Sequence, residues 1–549
     1  MLDERAFARR ASGLVRGLSL FDAFAVGFMN QGLTASIGLT ISLGLSVFLG
    51  GNLIIACLIS TALAGIGFPL VWGMLGGSMP RSGGEYIYNS RIIHPVVGIA
   101  QSFGDAAIWL LWIYVLAPLA VEPGLTTTFI YLGWSGAAGW LVSSPWVTFV
   151  IASLFNVCAF AFVVFGIRIF ALVQRGFMVL GVAGAVLIGL VLTFTSRSAF
   201  ERNWNVAAAA GHSPDYHAFI ARVGEAAGST IPSTWSWTPT LGVMVLMSWL
   251  FAYAYSISFV AGEIKRPDRT ILWANLLAVL VPAAFMLWIA AALYRTVGFQ
   301  FLSAAAWWDQ SVTNDTLSPD QLAKVGFSMP YGSNFIDLAV YTIGTAGFWT
   351  RLAAALMGLS YVAFTFWWLA LSYLAFPRIL FAWGMDRMGP KWFTEINPRF
   401  ASPVKNHLLC LVLGEMLLAL YYGWLTDQSQ NVIITGMQVT SVFIPTAVAA
   451  LLLPYSKRAK GVWEASPYRE WTFLGLPVIV WGAAVNLVYL GLLLYVFVVD
   501  NAARQFTNLS VAMFVGLWAL GIAWYFFWKR RGRTVGVNVS VTYGALPPE

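Results

Sequence analysis

Residues 21–38 read FDAFAVGFMNQGLTASIG, an apolar run whose middle contains polar and small residues. A helix needs about 20 apolar residues to cross a bilayer, so this run has the length of a membrane span. If the helix breaks at its polar middle, it exposes backbone N–H and C=O groups that a polar solute can satisfy and hydrocarbon cannot. The stretch Gly32-Leu33-Thr34-Ala35-Ser36 is therefore a candidate solute site. The alternative is close packing of these small residues against another helix.

Similar apolar runs occupy most of the chain. Hydrophobic residues make up 59% of the 549 residues and charged residues 10%, whereas soluble domains carry roughly 25% charged residues. The runs are continuous and do not alternate as membrane β-barrel strands do, so they predict an all-α integral membrane protein with about twelve helices. The predicted spans are 20–46, 53–76, 96–121, 145–165, 169–194, 241–261, 271–294, 351–383, 406–425, 432–453, 471–498 and 506–528.

The positive charges predict the orientation. Lys and Arg concentrate in the cytoplasmic loops of membrane proteins, and with the N-terminus inside, 24 of the 31 such residues fall on the cytoplasmic side. We therefore interpret the net charge of +8 as a topology signal and expect the lipid bilayer, not nucleic acid, as the partner. A multi-pass cell-membrane protein with both termini in the cytoplasm is expected. Its two long outer loops, 195–240 and 296–350, are expected to form lids or interfacial belts.

Predicted span 6 combines aromatic side chains with small hydroxyls, since residues 249–260 read WLFAYAYSISFV. Aromatic faces suit gating and side-chain contact, and hydroxyls can replace the hydration that a solute loses. The candidate solute contacts in this span are Trp249, Phe251, Tyr253 and Ser256. Ordinary core packing of an aromatic stripe is the alternative.

Two acidic residues are expected at membrane depth, where ionisable groups are costly and often functional. Asp105 lies about nine residues into span 3, roughly 14 Å along a helix, and Glu415 lies in span 9. Either is a candidate for coupling to an ion, and Asp105 also for binding a substrate amine. The alternative for Asp105 is a buried partnership with an arginine or a backbone group.

Enzyme chemistry finds little support in the residue pattern. The four histidines, His94, His212, His217 and His407, are dispersed without metal-ligand spacing, and there is no Gly-Lys-Ser/Thr nucleotide loop. No catalytic residue, metal site or cofactor is expected. If an ion drives the protein, H⁺ or Na⁺ would be that ion.

Three predicted cytoplasmic stretches carry motifs. Residues 79–88 read MPRSGGEYIY, residues 262–269 read GEIKRPDR, and residues 377–386 read PRILFAWGMD, followed by PKWF at 390–393 and NP at 397–398. In this order and at these loops they resemble the motifs of the amino acid-polyamine-organocation (APC) superfamily. Spans 11 and 12 carry no comparable signature.

The resemblance implies a leucine-transporter-like fold, with spans 1 and 6 broken at the midplane of two inverted five-helix repeats. It also implies secondary active transport of an amino acid, amine or related small organic solute by alternating access. A non-transporting nutrient sensor on the same fold is the alternative, and the sequence leaves the oligomeric state open. The implied segments are a cytoplasmic start at 1–17, repeats at 18–194 and 241–453, an outer loop at 195–240, helices 11 and 12 at 471–528 and a cytoplasmic tail at 529–549.

This chain departs from the superfamily pattern at several positions. Only Gly32 remains of the glycine-rich break in span 1, and Tyr253 replaces the glycine expected in span 6. Trp249 falls at the family's aromatic gate, while Gly181 occupies the span 5 position where some proton-coupled members keep a lysine.

The motif charges are the last set of candidates. Glu85, Lys265 and Arg266 lie at the cytoplasmic membrane edge in the predicted topology and are expected to form the cytoplasmic gating apparatus. The alternative is that these charges only fix the orientation of the chain.

Overall fold

The computed structural model describes residues 16–344, 347–423, 435–499, 508–534, 536, 542–544 and 546. Within these residues the chain is almost entirely helical, and its one sheet is the hairpin of Thr472–Phe473 with Leu476–Pro477. Of the predicted segment 1–17, residues 1–15 lie outside the described residues. Of the predicted tail 529–549, residues 535, 537–541, 545 and 547–549 do so as well. The prediction of an all-α membrane protein is confirmed.

The described residues contain ten helices that are long and apolar enough to cross a membrane and an eleventh span that bends by 42°. Two shorter helices separated by Gln31 and Gly32, which are not counted among these eleven, occupy the position of predicted span 1. In chain order the spans are Leu20–Asn30 with Leu33–Val47, Leu53–Ser78, Pro95–Tyr131, Pro145–Val164, Ile167–Phe194, Trp237–Leu246 with Ser248–Glu263, Pro267–Thr296, Phe348–Met385, Val404–Gly423, Thr435–Tyr455, Val478–Val499 and Asn508–Thr534.

Two spans differ from their predicted bounds. Span 3 continues to Tyr131 through a π-helical section at Ala120–Thr126, although the apolar run predicted its end near 121. Span 11 begins at Val478 because Thr472–Pro477 folds as the hairpin, whose turn residues Leu474 and Gly475 both have positive φ. The division into two five-helix repeats stays a prediction.

Polar caps and glycines set the ends of several spans. Ser19 and Asp22 form a capping box at the start of span 1, and the Asn52 side chain accepts hydrogen bonds from Ile54 N and Ile55 N at the start of span 2. Spans 4 and 5 join through Gly166, whose φ of 100° is a conformation that favours glycine. A Cβ there would lie 2.3 Å from the Phe400 carbonyl oxygen, so this turn packs directly against the chain that follows span 8.

The spans differ in how much of their surface faces outward. Spans 3 and 8 are mostly buried, whereas span 12 exposes large apolar side chains such as Leu509, Leu520 and Phe526. Apolar side chains on the outside of a helical bundle are what a bilayer requires. Spans 1, 3, 6 and 8 therefore form the interior, and the C-terminal spans lie at its periphery.

The two long outer loops fold into short helices that pack together into one cap. Their shared core is aromatic: the Trp204 ring lies 4.8 Å from Phe301, 5.3 Å from Phe219 and 5.0 Å from Tyr341 between centroids. The cap contacts span 3 where the Tyr131 hydroxyl donates to Asp337 Oδ1 at 2.6 Å. Its helices are Arg197–Ala210, Tyr216–Ala227, Phe299–Thr313, Pro319–Val325 and Phe335–Ile343.

Four short segments complete the fold. Ser135–Leu141 joins spans 3 and 4, Glu85–Ile92 begins within the first motif, and Lys391–Thr394 is a 3₁₀ turn after span 8. A further short helix, Lys460–Glu464, lies between spans 10 and 11.

Candidate functional site

Span 1 breaks at Gly32, which adopts a left-handed conformation with φ 56° and ψ 55°. A Cβ at this position would lie 2.6 Å from Cε3 of Trp368, so both the backbone and the neighbouring indole require glycine. The helix Leu33–Val47 starts here without a side-chain cap. The first N–H groups of a helix have no partner within it, so the amides of Leu33, Thr34 and Ala35, which no side chain among the described residues caps, form a positively polarised helix end.

Span 6 changes its helix type at the same level. Its α-helical part ends at Phe251, and Ala252–Glu263 continues as a 3₁₀-helix of 12 residues, although such helices rarely exceed 3–4 residues. Asn30 Nδ2 donates to the Tyr253 carbonyl oxygen at 2.8 Å, and Ser256 Oγ donates to the Val26 carbonyl oxygen at 3.4 Å. The irregular part of span 6 is therefore in contact with the first helix of span 1, up to the residue before its break.

The predicted solute contacts are all buried, but they do not all face one another. Ser36 donates to the Gln31 carbonyl across the break, and Thr34 accepts from Ser360 Oγ of span 8 at 3.3 Å. Trp249 instead donates to Thr435 Oγ1 of span 10 at 2.9 Å. The structure thus brings span 1 together with the 3₁₀ part of span 6, Ala252–Glu263. Trp249 and Phe251 lie in the α-helical turn just before it.

An aromatic group that sequence reasoning missed lies beside the break. The rings of Trp112, Tyr253 and Trp368 contact one another, with centroids 4.8–5.7 Å apart. Trp112 belongs to span 3 and Trp368 to span 8, and both indoles are buried. Nothing local in the sequence separates them from the other tryptophans of this chain, because their role depends on packing against Gly32 and Tyr253.

Several buried polar groups around the break have no hydrogen-bond partner among the described residues. Buried polar groups are nearly always paired in folded proteins, so such a concentration indicates a place where a polar molecule or water completes the pairing. The unpaired atoms are Asn30 Oδ1, both amide atoms of Gln31, Tyr253 Oη and the indole nitrogens of Trp112 and Trp368.

Asp105 lies deep in span 3, as predicted, with 1% of its surface exposed. The Trp109 and Tyr255 side chains lie close enough to act as its hydrogen-bond donors, although in the described part of the chain neither carboxylate oxygen is in close hydrogen-bond geometry with a partner. Its polar neighbours are Trp109 and Tyr255, and it interacts electrostatically with Glu85. The Tyr255 hydroxyl itself accepts from Gln438 Nε2 of span 10 at 2.7 Å.

Glu85 turns inward instead of pairing with the basic loop. It is fully buried and accepts hydrogen bonds from Trp72 Nε1 at 2.5 Å and Ser258 Oγ at 3.0 Å. Lys265 and Arg266 are exposed, and within the described ranges neither forms a salt bridge. The structure therefore does not bring these three gating candidates together.

The glycine pair of the first motif explains the inward turn of Glu85. Gly83 and Gly84 have φ of 112° and 58°. A Cβ on Gly83 would lie 2.3 Å from the Ala382 Cβ, and one on Gly84 would lie 2.7 Å from Phe259. Only glycines allow the backbone to turn in so little space, and the following helix Glu85–Ile92 then starts inside the bundle.

Two buried ion pairs join the cytoplasmic motifs. Arg378 of span 8 contacts Glu263 of span 6 at 3.0 Å, and Arg91 contacts Asp386 at 2.6 Å. Tyr86 also donates to Asp386 Oδ2 at 2.6 Å. The three motif stretches therefore meet through side chains, and sequence reasoning recognised the motifs without predicting these pairs.

A family model described as amino acid permease matches residues 18–520. This chain belongs to the amino acid permease family. The match confirms the resemblance to the APC superfamily and the expectation of a permease and not an enzyme.

The permease is also similar to a curated plant protein. It is 25% identical over 200 residues to the cationic amino acid transporter 4, vacuolar, of Arabidopsis thaliana. The aligned stretch covers 36% of this chain and 27% of that protein, so the permease matches about a quarter of the length of this relative.

The second coupling candidate has a different environment from Asp105. Glu415 of the permease accepts from Ser153 Oγ at 2.8 Å and from Asn156 Nδ2 at 2.9 Å. Both of its oxygens thus bind donors from span 4, and the side chain is only partly buried. This arrangement favours a role in joining spans 4 and 9.

Gly181 lies where spans 5 and 8 touch. A Cβ on it would come within 2.7 Å of the Phe364 ring, and Ser360 Oγ donates to its carbonyl oxygen at 2.5 Å. The permease therefore has no space for a long side chain at this position.

Among the described residues no three His, Cys, Asp or Glu side chains are grouped so that they could hold a metal ion.

Proposed function

We propose that this permease carries an amino acid or related amine-bearing solute across the cell membrane by alternating access. The solute would lie between Gly32–Ser36 of span 1 and Trp249–Ser256 of span 6. The observation that carries the proposal is the contact between two irregular spans, made by Asn30 with Tyr253 and by Ser256 with Val26. Around this contact, several buried side-chain polar atoms have no hydrogen-bond partner among the described residues. A polar solute would pair with them.

The positively polarised helix end after Gly32 supports a solute with a carboxylate. Anions bind well at helix N-termini, where several N–H groups point in one direction and the helix dipole is positive. Gly32 stays a glycine although most of the family's glycine break is lost, and a Cβ added at this position would collide with Trp368. The backbone amides after Gly32 would thus remain close enough to contact a solute.

Alternating access is supported by the burial of the site. Leu33, Ala35, Tyr253 and Ser256 are each no more than 1% exposed, so a solute could enter or leave only after spans move. The ion pairs between Arg378 and Glu263 and between Arg91 and Asp386 would hold the cytoplasmic side closed. Buried pairs of this kind are strongly destabilised when one partner is lost, which makes them suitable latches.

Coupling is proposed to run through Asp105, with H⁺ or Na⁺ as the driving ion. Its support is the buried carboxylate of Asp105 beside Trp109 and Tyr255 and the lack of space for a span 5 lysine at Gly181. Both termini would lie in the cytoplasm, in keeping with the distribution of Lys and Arg.

Uptake into proteoliposomes tests the function. Labelled L-arginine, L-lysine, L-leucine and L-glutamate would be offered to vesicles with and without the purified permease, the basic pair because of the name of the plant relative. Accumulation of one of them, and its exchange against unlabelled solute, is expected. Binding without flux would favour the nutrient sensor, and neither binding nor flux for any of the four would contradict the proposal.

Two bulky replacements test the location. Ala35→Leu and Ser256→Leu would fill the space between the breaks and are expected to lower uptake by at least about tenfold, or 1.4 kcal/mol. Ala512→Leu, on the exposed face of span 12, is the matched control and should leave uptake unchanged. Full uptake in both site variants, at equal protein per vesicle, would place the solute elsewhere.

A further inference from the structure

A small cavity lies between the entry to span 1 and the first turns of span 5. It has a volume of about 260 Å³ and is partly open to the surroundings. Gly17, Leu18 and Asp22 line it on one side, and five residues of 167–175 line it on the other. The cavity shares no residue with the proposed solute region, so it is a separate site.

Two arginine side chains give this cavity a positive charge. Arg168 is exposed, and among the described residues it forms neither a hydrogen bond nor an ion pair. Arg175 donates from Nε and Nη2 to Asp22 Oδ1 at 3.0 and 2.6 Å, which leaves its Nη1 for another acceptor. The lining thus combines two positive charges with one negative charge.

Asp22 is already fully engaged. Its Oδ2 accepts hydrogen bonds from Ser19 N and Ser19 Oγ at 3.0 and 2.7 Å, and its Oδ1 holds Arg175. Arg168 and the Nη1 group of Arg175 therefore remain for an anion from outside the chain. Guanidinium groups bind phosphate well, because their planar donors match its oxygens.

Apolar side chains surround the cavity. Leu172 of its lining is 68% exposed, and Phe21, 46% exposed, has its ring centroid 5.9 Å from the Arg175 guanidinium carbon. Leu20 and Ile169 are exposed as well. A free phosphate ion would leave these side chains uncovered, whereas a phospholipid would cover them with its acyl chains.

The length of span 5 places the two arginines at the level of the lipid headgroups. Ile167–Phe194 has 28 residues, about 42 Å at 1.5 Å per residue, whereas the hydrocarbon core of a bilayer is about 30 Å thick. Residues 176–194 contain no charged residue, so the end that extends out of the hydrocarbon is the one with Arg168 and Arg175. Long arginine side chains also reach toward the headgroups.

We propose that this cavity binds the phosphate-bearing headgroup of an anionic phospholipid, with Arg168 and Arg175 as donors and the acyl chains along Leu172 and Phe21. The proposal rests on the proposed orientation of the chain, which places the cavity in the cytoplasmic leaflet, where anionic lipids are concentrated. It goes beyond the proposed transport, because neither the solute nor a coupling ion takes part.

A lipid at this site would strengthen the contact between spans 1 and 5. Arg175 can keep Asp22 on Nε and Nη2 while its Nη1 binds the phosphate. The entry to span 1 is also tied to span 6, since Gly17 N and Leu18 N donate to the Glu263 carbonyl oxygen at 2.9 and 3.1 Å. The headgroup would therefore stabilise the arrangement of spans seen here.

Lipid binding by the purified full-length permease tests the proposal without any transported solute. Phosphatidylglycerol or phosphatidylcholine would be titrated in, with bound lipid counted by native mass spectrometry and the melting temperature measured in parallel. Wild type would be compared with Arg168→Gln, Arg175→Gln and the control Arg458→Gln, an exposed arginine after span 10. Inorganic phosphate without added lipid forms a separate series.

Wild type should bind one phosphatidylglycerol more tightly than phosphatidylcholine and should melt at a higher temperature with it. Arg168→Gln should weaken this binding by at least about tenfold, as expected for a lost hydrogen bond to a charged group. This variant should fold normally, because Arg168 has no partner to lose among the described residues. Arg175→Gln should weaken lipid binding and also lower the melting temperature, since its ion pair with Asp22 is lost. Arg458→Gln should bind the lipid as wild type does.

Four results would overturn the proposal. Equal affinity of wild type for the two lipids would show that the headgroup is not recognised, and unchanged binding by Arg168→Gln would place the lipid elsewhere. An equal loss in Arg458→Gln would indicate diffuse attraction to a basic face. Inorganic phosphate that raised the melting temperature as much as phosphatidylglycerol would make the cavity a site for a free anion. Each result can occur while amino acid uptake is normal, so this failure is distinguishable from failure of the proposed transport.

Discussion

The permease has acidic residues in two regions, the cap and the bundle beside the broken spans, and their surroundings differ. In the cap, Asp337 accepts from the Tyr131 hydroxyl at 2.6 Å and from Asn334 N at 3.2 Å, and Ser42 provides a hydrogen bond to Asp309. Beside the broken spans, Asp105 has the Trp109 and Tyr255 side chains as its nearest donors, and neither of its oxygens is in close hydrogen-bond geometry with a described residue. The short, fixed hydrogen bonds of Asp337 hold the cap together, whereas the loosely held carboxyl group of Asp105 is available for a group that arrives and leaves.

The largest expected effect is a loss of folding stability when the core of the cap is disrupted, with the solute site left intact. Trp204 is fully buried in the cap among Phe219, Phe301 and Tyr341, so Trp204→Ala should cost about 3–5 kcal/mol. A thermal-shift assay in detergent should show a lower melting temperature, while the affinity of the remaining folded permease for its solute stays the same. A large loss of affinity at unchanged melting temperature would merge the two regions into one functional site.

A pH titration of stability examines the outer pair. Burial raises the pKa of Asp337 to about 7 and that of Asp309 to about 6, from 3.8. The folded state therefore binds more protons than the unfolded state between these values, and stability is highest at low pH and falls as the pH rises toward 7. The fall should amount to at most a few kcal/mol for Asp337.

Asp337→Asn should flatten this dependence, because the side chain no longer titrates. The measurement is the melting temperature at a series of pH values for the variant and the wild type, with Asp320→Asn, at an exposed position in the cap, as control. A wild-type melting temperature that rises with pH across this range would contradict the assignment.

The inner acid is expected to act on transport and not on stability. Asp105→Asn should lower uptake by at least about tenfold, equal to 1.4 kcal/mol, and remove its dependence on external pH or sodium. The melting temperature should be equal or higher, since a loosely held buried acid is replaced by a neutral group. Uptake at the wild-type rate with the same ion dependence would make Asp105 structural and leave Glu415 as the next coupling candidate.

Glu415→Gln should have the smallest effect. Its oxygens bind Ser153 and Asn156, and a glutamine keeps the size and one acceptor, so uptake should stay within about twofold and stability should fall by about 1 kcal/mol. The pH profile of uptake in the same vesicles is the decisive measurement. If uptake by Glu415→Gln no longer depended on pH, Glu415 and not Asp105 would be the coupling residue.

Much of the fold followed from the sequence because its signals are local. Apolar runs of membrane length predicted the spans, and the glycine and polar residues around Gly32 predicted the break of span 1. The hairpin at Thr472–Pro477 was missed, since Trp471 and Phe473 read as part of the apolar run although glycine at 475 turns the chain.

The site could be predicted only in part because its partners are distant in sequence. Asp105 was placed correctly at depth, but the group of Trp112, Tyr253 and Trp368 comes from three spans. Glu85 was expected to belong to one cytoplasmic gating apparatus with Lys265 and Arg266. Its actual direction depends on how closely Gly83 and Gly84 pack on Ala382 and Phe259, which no local pattern reveals.

The central claim is that the solute occupies the space between the breaks of spans 1 and 6, and solute protection of a single thiol tests it most directly. Ser256→Cys would be placed in a permease lacking Cys57, Cys158 and Cys410, with Thr313→Cys on the exposed cap surface as control. Labelling by a small maleimide would be timed with and without the amino acid that gives the highest uptake. The account predicts that this amino acid slows labelling at position 256 and leaves position 313 unaffected; equal labelling rates at position 256 with and without a transported amino acid would contradict it.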